Sequence, residues 1–121
     1  MIHTRDQRLA FFAYQKVGEV KGERDEYKTA VSDFGANILR SGLVAALATL
    51  VRRKDGGAKK LLKDLLDSDE VRSALRSPDK PNAEPMVLIC NLDAADYMLL
   101  SLRLLQLATW LKRAAQATFD A

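Results

Sequence analysis

The sequence predicts an all-α protein, a compact single-domain bundle of about five to six helices. Two observations lead to this class: apolar residues recur at helical spacing over most of the chain, and no segment shows the strict alternation of a half-buried strand. With 121 residues, the chain can build one hydrophobic core but not two. We therefore predict a single helical domain over residues 1–121, with an exposed loop at about residues 76–85 that holds all three prolines.

The first helix is predicted from about Arg5 to Val20. Thr4 and Gln7 have capping-box spacing, in which a hydroxyl accepts a first-turn N–H and an amide reaches back to the cap. At 100° per residue, one broad face is apolar and carries Leu9, Ala10, Ala13, Tyr14, Val17 and Val20. The flank beside it is basic with one aromatic ring, and it carries Arg5, Arg8, Phe12, Gln15 and Lys16.

The second helix is predicted to start around Arg24 and to break at Gly35, before a short continuation over residues 37–41. A third helix follows Gly42 and is marked by an apolar stripe of Leu43, Leu47, Leu50 and Val51. It ends in three cations, Arg52, Arg53 and Lys54, before Asp55-Gly56-Gly57 stops it. Cations in a last turn also complement the helix macrodipole, so a purely structural role is open to them.

Residues 58–75 predict a short leucine-bearing helix and a second one beginning at Asp67, which has capping-box-like spacing with Glu70. The last helix is predicted to start near Asp93 and to run almost to the end of the chain. From Tyr97 to Leu111 it is apolar nearly all round, which predicts a position at the centre of the bundle.

Charge, cysteine content and hydropathy indicate the class of partner and the cellular compartment. The net charge is +3 with a pI of about 9.1, which permits an anionic partner without requiring one. Cys90 is the only cysteine, so no intrachain disulfide forms, and its apolar neighbours predict a buried side chain. The first residues lack the apolar core of a signal peptide, and the apolar run near the end is too short to cross a bilayer. We expect a cytoplasmic protein without a membrane partner.

The chain offers little catalytic chemistry. His3 is the only histidine and lies at the terminus, where a nucleophile–histidine pair has no partner nearby. Gly56-Gly57 does not have the spacing of a phosphate-binding loop. One cysteine, one histidine and carboxylates that fit helix starts make a poor ligand set for metals. We therefore predict no enzyme activity, no catalytic residue, no metal site and no cofactor.

Cationic side chains are the remaining candidates for function. A surface that neutralises phosphates is predicted to include Arg5, Arg8, Lys16, Arg40, Arg52, Arg53, Lys54, Lys112 and Arg113. Ordinary solvated helix faces also carry such residues, so the cations alone do not decide the matter. Trp110 lies in the apolar sector of its helix and fits a core anchor better than a base-stacking platform.

Three segments together resemble the small subunit of the type III-B CRISPR effector, the Cmr RNA-targeting complex. They are QRLAFFAYQKV (7–17), YKTAVSDFGANILRSGLVAALATLVRRK (27–54) and ATWLKRAAQA (108–117), in this order and at these separations. The telling features are Gln7-Arg8, Tyr27, the junction from Ile38-Leu39 to Gly42-Leu43, and the Trp110 to Arg113 ending. The chain departs from the family pattern at Gly35, where relatives carry a proline, and over residues 57–90.

The resemblance implies a compact helical subunit without catalytic activity of its own. Several copies would stack head to tail along a helical ribonucleoprotein, facing larger subunits that hold the guide RNA. The target RNA pairs with the guide between the two rows, and the small subunit would contact the phosphate backbone without reading bases. On this view Trp110 anchors its helix while Lys112 and Arg113 reach outward to a phosphate or a neighbouring subunit.

Two alternatives stay open on the sequence. Residues 24–54 could form the helix-turn-helix of a stand-alone DNA-binding protein, although the second helix is almost wholly apolar from Leu43 to Val51. The chain could also be a scaffold that binds only proteins. Binding of duplex DNA would favour the DNA-binding alternative. RNA binding that does not change with salt concentration would favour the protein-only scaffold.

Overall fold

The computed structural model describes residues 2–76 and 84–120. Within these residues the chain forms seven α-helices and no strand: α1 (Arg5–Gly18), α2 (Arg24–Ser41), α3 (Leu43–Arg52), α4 (Gly56–Asp67), α5 (Asp69–Ala74), α6 (Pro85–Cys90) and α7 (Ala94–Phe119). The predicted all-α class is confirmed. The helix number exceeds the expected five to six because the short α6 is not anticipated. Most of the predicted proline-rich loop, residues 77–83, lies outside the described residues.

The capping signals of α1 are confirmed, but the predicted break in α2 is wrong. Thr4 and Gln7 form the complete capping box. Helix α2 continues through Gly35, where a Cβ atom would lie 3.9 Å from both Leu105 and Ala108. This is an ordinary contact distance, so Gly35 lies inside a continuous helix beside α7 and does not reverse the chain.

Gly42 makes the break between α2 and α3. Its φ of 91° and ψ of 169° lie in a region that L-residues with side chains rarely adopt, so a glycine is required at this junction. The hydroxyl of Tyr97 accepts the N–H of Val44 at 3.0 Å, which satisfies a free donor in the first turn of α3. This bond and the 2.8 Å pair between Lys28 and Asp120 show that α2 and α7 run antiparallel.

Two helix starts differ from their predicted positions. Asp55, expected to help stop α3, caps α4 by accepting the N–H of Ala58 at 2.8 Å. Helix α5 is capped by Ser68, whose hydroxyl accepts the N–H of Val71, and not by Asp67. Asp67 is instead the last residue of α4, because the extended backbone of Ser68 separates the two helices.

The longest helix, α7, is central on one side only. Leu100, Leu104, Leu107 and Leu111 are buried against α1, α2 and α5, whereas Met98 is 71% exposed and Leu102 is 52% exposed. The prediction that this segment is buried all round is therefore wrong for its outer face. Among the described helices, none combines the length and apolar character required to span a membrane.

The expectation of a buried Cys90 is also wrong. Cys90 is exposed at the end of α6, while its neighbour Ile89 fills the core. Adjacent residues on a helix point about 100° apart, and at the end of this short helix only Ile89 of the two faces the core. The short helix buries one residue rather than the whole apolar run.

Candidate nucleic-acid interface

Seven of the nine predicted cations lie on the exposed surface. They are Arg5 and Arg8 on α1, Arg40 on α2, Arg52 and Lys54 at the end of α3, and Lys112 and Arg113 on α7. Arg8 donates to the backbone oxygen of His3 at 3.1 Å, a contact that leaves its charge unneutralised. These side chains keep their charges available to an external anion.

The other two predicted cations, Lys16 and Arg53, are engaged in ion pairs within the fold. Lys16 Nζ lies 3.5 Å from Asp67 and 3.9 Å from Glu19, and its side chain is only 16% exposed. Arg53 bridges Asp33 at 3.6 Å and Asp55 at 3.0 Å, which joins α2 to the start of α4. Both cations hold helices together, and partial neutralisation makes them poorer phosphate contacts than their exposed neighbours.

The end of α7 combines an aromatic ring with two cations. Trp110 is half-buried and packs against the core, and the guanidinium carbon of Arg113 lies 5.1 Å from the indole centroid. A guanidinium over an indole face is held by a cation–π attraction and still faces solvent. The indole therefore anchors the helix and orients the cation beside it.

Among the exposed cations that the sequence reasoning did not single out are two on α4. Lys59 and Lys63 lie one turn apart on the outer face of α4. The helical spacing of Leu61 and Leu65 on the buried face could have revealed that these lysines face outward.

A buried polar network behind this surface was also missed. Tyr27 Oη donates to Asp64 at 2.8 Å, and Lys60 donates to both Asp64 and Glu19. Burial raises the pKa of Asp64, partly offset by the hydrogen bonds from Lys60 and Tyr27. Burial and the neighbouring carboxylate hold the pKa of Tyr27 far above its usual range, and the Lys60 hydrogen bond lowers the pKa of Glu19. The network ties α1, α2 and α4 into one unit.

The protein's relatives are identified by its sequence and by its fold. The family model described as CRISPR-associated protein (Cas_Cmr5) matches residues 5–118. The chain belongs to the Cmr5 family. It is therefore a Cmr small subunit, a type III CRISPR-associated protein that acts within a multi-subunit complex. The resemblance stated from the three sequence segments is confirmed.

A solved Cmr5 structure shows the same architecture. The X-ray crystal structure of a CRISPR-associated Cmr5 family protein from Thermus thermophilus is similar with a TM-score of 0.77 at 27% sequence identity. The match covers 96% of this chain and 97% of that chain. No curated protein matches this sequence significantly. Residues 57–90 carried little of the resemblance in the sequence segments, but they lie within the region that the Cmr5 family model matches.

The described part of this Cmr5 chain contains no group of three or more His, Cys, Asp or Glu side chains placed to hold a metal ion. His3, the only histidine, is exposed ahead of α1.

Proposed function

We propose that this Cmr5-family chain is a non-catalytic small subunit of a type III-B CRISPR effector that targets RNA in antiviral defence. Several copies stack head to tail along the complex in the cytoplasm, beside the larger subunits. Each copy contacts the backbone of the duplex between target RNA and guide RNA through its basic patches. The observation that supports this most is the family match over residues 5–118, together with seven predicted cations that face solvent.

A small subunit beside the duplex has no need to recognise bases. Base pairing with the guide already supplies sequence specificity, so a subunit beside the duplex needs only charge and shape complementarity. The exposed cations belong to separate patches on α1, α2, α3 and α7. A single copy then grips RNA weakly, and stacked copies gain affinity because each bound copy raises the effective concentration of the next contact.

The experiment that tests this function is a tagged pull-down from the native host at mild salt. Co-purified RNA is sequenced and the partner proteins are identified by mass spectrometry. Recovery of CRISPR guide RNAs together with larger subunits is the expected result. A protein that emerges without RNA and without partners would contradict the proposal.

The two alternatives make different predictions in the same preparation. A DNA-binding helix-turn-helix would use α3, but among its exposed positions only Thr49 and Arg52 carry polar side chains, whereas Ala45, Ala48 and Val51 offer none to base edges. Specific duplex DNA binding in a gel-shift selection would support it nonetheless. A protein-only scaffold would give complexes whose RNA content does not respond to salt or to loss of the exposed cations.

A further inference from the structure

A groove between the outer side of α1 and the start of α5 combines aromatic, amide and cationic groups. Its volume is about 560 Å³, and its principal lining residues are Gln7, Arg8, Phe11, Phe12, Gln15 and Asp69. One residue of this groove, Arg8, is among the predicted cations. The aromatic and amide side chains of the groove are not needed for contact with the RNA backbone.

Phe11 presents an open aromatic surface. Its side chain is 72% exposed, because it lies on the side of α1 away from the buried Leu9 and Ala13. Gln7 and Gln15 lie one helical turn before and after it, about 6 Å along the axis in each direction. A flat ligand stacked on this ring would have an amide near each of two edges. Amides both donate and accept hydrogen bonds, so they can serve the polar edges of any base.

The polar groups beside Phe11 are held in place. Gln7 Oε1 accepts the N–H of Thr4 at 2.7 Å, which fixes the amide and directs its N–H groups to other acceptors. The Arg8 guanidinium is positioned by its 3.1 Å bond to the His3 carbonyl. Phe12 is half-buried, with Lys16 Nζ 5.4 Å from its ring centroid, so the groove has a fixed aromatic wall. Little ordering remains to be done when a ligand binds.

We propose that this groove binds one unpaired nucleotide of a single-stranded RNA, with the base stacked on Phe11 and the phosphate against Arg8. The inference rests on the proposed function and extends it from backbone contact to a base-stacking contact. An exposed ring beside a guanidinium and two amides matches a nucleotide, because stacking tolerates any base and the cation neutralises its phosphate. Exposed aliphatic side chains that suit a protein partner, such as Met98 and Leu102 on α7 and Leu39 on α2, do not line this groove.

The test uses the full-chain protein and a short oligoadenylate that carries one fluorescent 2-aminopurine. Stacking on Phe11 should quench the fluorescence, and Phe11→Ala should weaken binding about 5- to 150-fold, the range for loss of one base–aromatic stack. Phe11→Tyr should restore binding, since a phenol ring stacks equally well. Tyr14→Ala is the matched control: Tyr14 is 48% exposed on the same helix but does not line the groove, so affinity should not change.

Arg8→Ala tests the phosphate contact separately. It should weaken binding and reduce the salt slope by about 0.7, the value for one lost contact to single-stranded nucleic acid. Fully paired duplex RNA should bind with no dependence on Phe11. Because Phe11 and Arg8 are both exposed, the variants should fold, and circular dichroism checks this.

Several results would overturn the inference. Equal affinity of Phe11→Ala and wild type for oligoadenylate, with Arg8→Ala weakened, would refute base stacking and leave the proposed function intact. Binding of free AMP as tightly as the oligonucleotide would assign the groove to a mononucleotide instead. Phe11→Ala that retains RNA but loses larger subunits in the pull-down would make the groove a protein-docking site. Failure of RNA recovery with the wild-type complex would refute the proposed function as well.

Discussion

Removal of the Tyr27 hydroxyl tests whether the buried polar network stabilises this fold. Tyr27 Oη donates to Asp64 Oδ2 at 2.8 Å, and both side chains are fully buried. Tyr27→Phe keeps the ring and its edge-to-face contact with Phe119 at 6.4 Å, so the variant removes only the hydrogen bond. Bonds to charged groups contribute about 1.5–3 kcal/mol, so the free energy of unfolding should fall by about 2 kcal/mol. At about 4 °C per kcal/mol for a domain of this size, the Tm should fall by about 8 °C.

The assay is urea unfolding followed by far-UV circular dichroism, with Tyr97→Phe as a matched control. Tyr97 Oη accepts a neutral backbone N–H from Val44 and is only half-buried, so its loss should cost no more than about 1 kcal/mol. If Tyr27→Phe destabilises no more than Tyr97→Phe, the buried bond contributes nothing special and the reasoning fails.

The pH dependence of the same variant gives a second check. Burial already raises the pKa of Asp64, and the Tyr27 hydrogen bond lowers it, so the variant should raise this pKa further. A carboxyl group with a folded pKa above its unfolded value contributes stability below the unfolded pKa and loses it as the pH rises through the folded pKa. The stability gap between variant and wild type should therefore widen as the pH rises and narrow in acid.

Three further predictions concern glycines, a helix cap and the cations. Gly57→Ala places a Cβ atom against the backbone of α2 and should lower the free energy of unfolding by about 3 kcal/mol or more. Gly56→Ala meets only a movable glutamate side chain and should leave the stability nearly unchanged. Thermal unfolding of the two variants tests this difference. The hydrogen bond from the backbone N–H of Ala58 lowers the pKa of Asp55, and Arg53 lowers it further. The stability that Asp55 contributes is therefore present above its unfolded pKa and is lost as the pH falls through its folded pKa. Asp55→Asn keeps the cap without the charge, so it should lose less stability than wild type between about pH 5 and pH 3 in urea titrations; equal losses would contradict this. Replacing both Lys112 and Arg113 with alanine should weaken RNA binding by the assembled complex and reduce its salt slope by about 1.8 per copy, the duplex value for two lost contacts, with unchanged circular dichroism; unfolding would show a structural role instead.

The sequence predicted several helix ends from their local signals. The capping box at Thr4, the break at Gly42 and the cap at Asp93 are all present. Gly35 misled the prediction because glycine occurs both at chain breaks and inside helices. The neighbours that pack beside it, Leu105 and Ala108, come from about seventy positions along the chain, so no local pattern reveals that the helix continues there.

The site was predictable in its residue types but not in their pairing. Periodicity shows that Lys16 and Arg53 fall near the edge of a buried face, yet their acidic partners come from other helices. The partner of Asp64 could not be predicted either. In the sequence, Asp64 looks like a solvated carboxylate of a leucine-rich helix, and only the fold brings Tyr27 beside it. Charges that tertiary contacts neutralise look identical in sequence to charges that remain free.

The spacing of Arg40 and Lys112 favours a polymeric anion over a small one as a ligand common to both. Gly35 packs level with Leu105 and Ala108, and α2 runs antiparallel to α7. Arg40, five residues further along α2, is therefore level with about position 101 of α7, and Lys112 lies roughly 16 Å away at 1.5 Å per residue. This separation is about twice the screening length at physiological salt, roughly 8 Å, so the two charges cannot act together on one small anion. A chain of phosphates long enough to reach both can engage each in turn, as the proposed RNA ligand would.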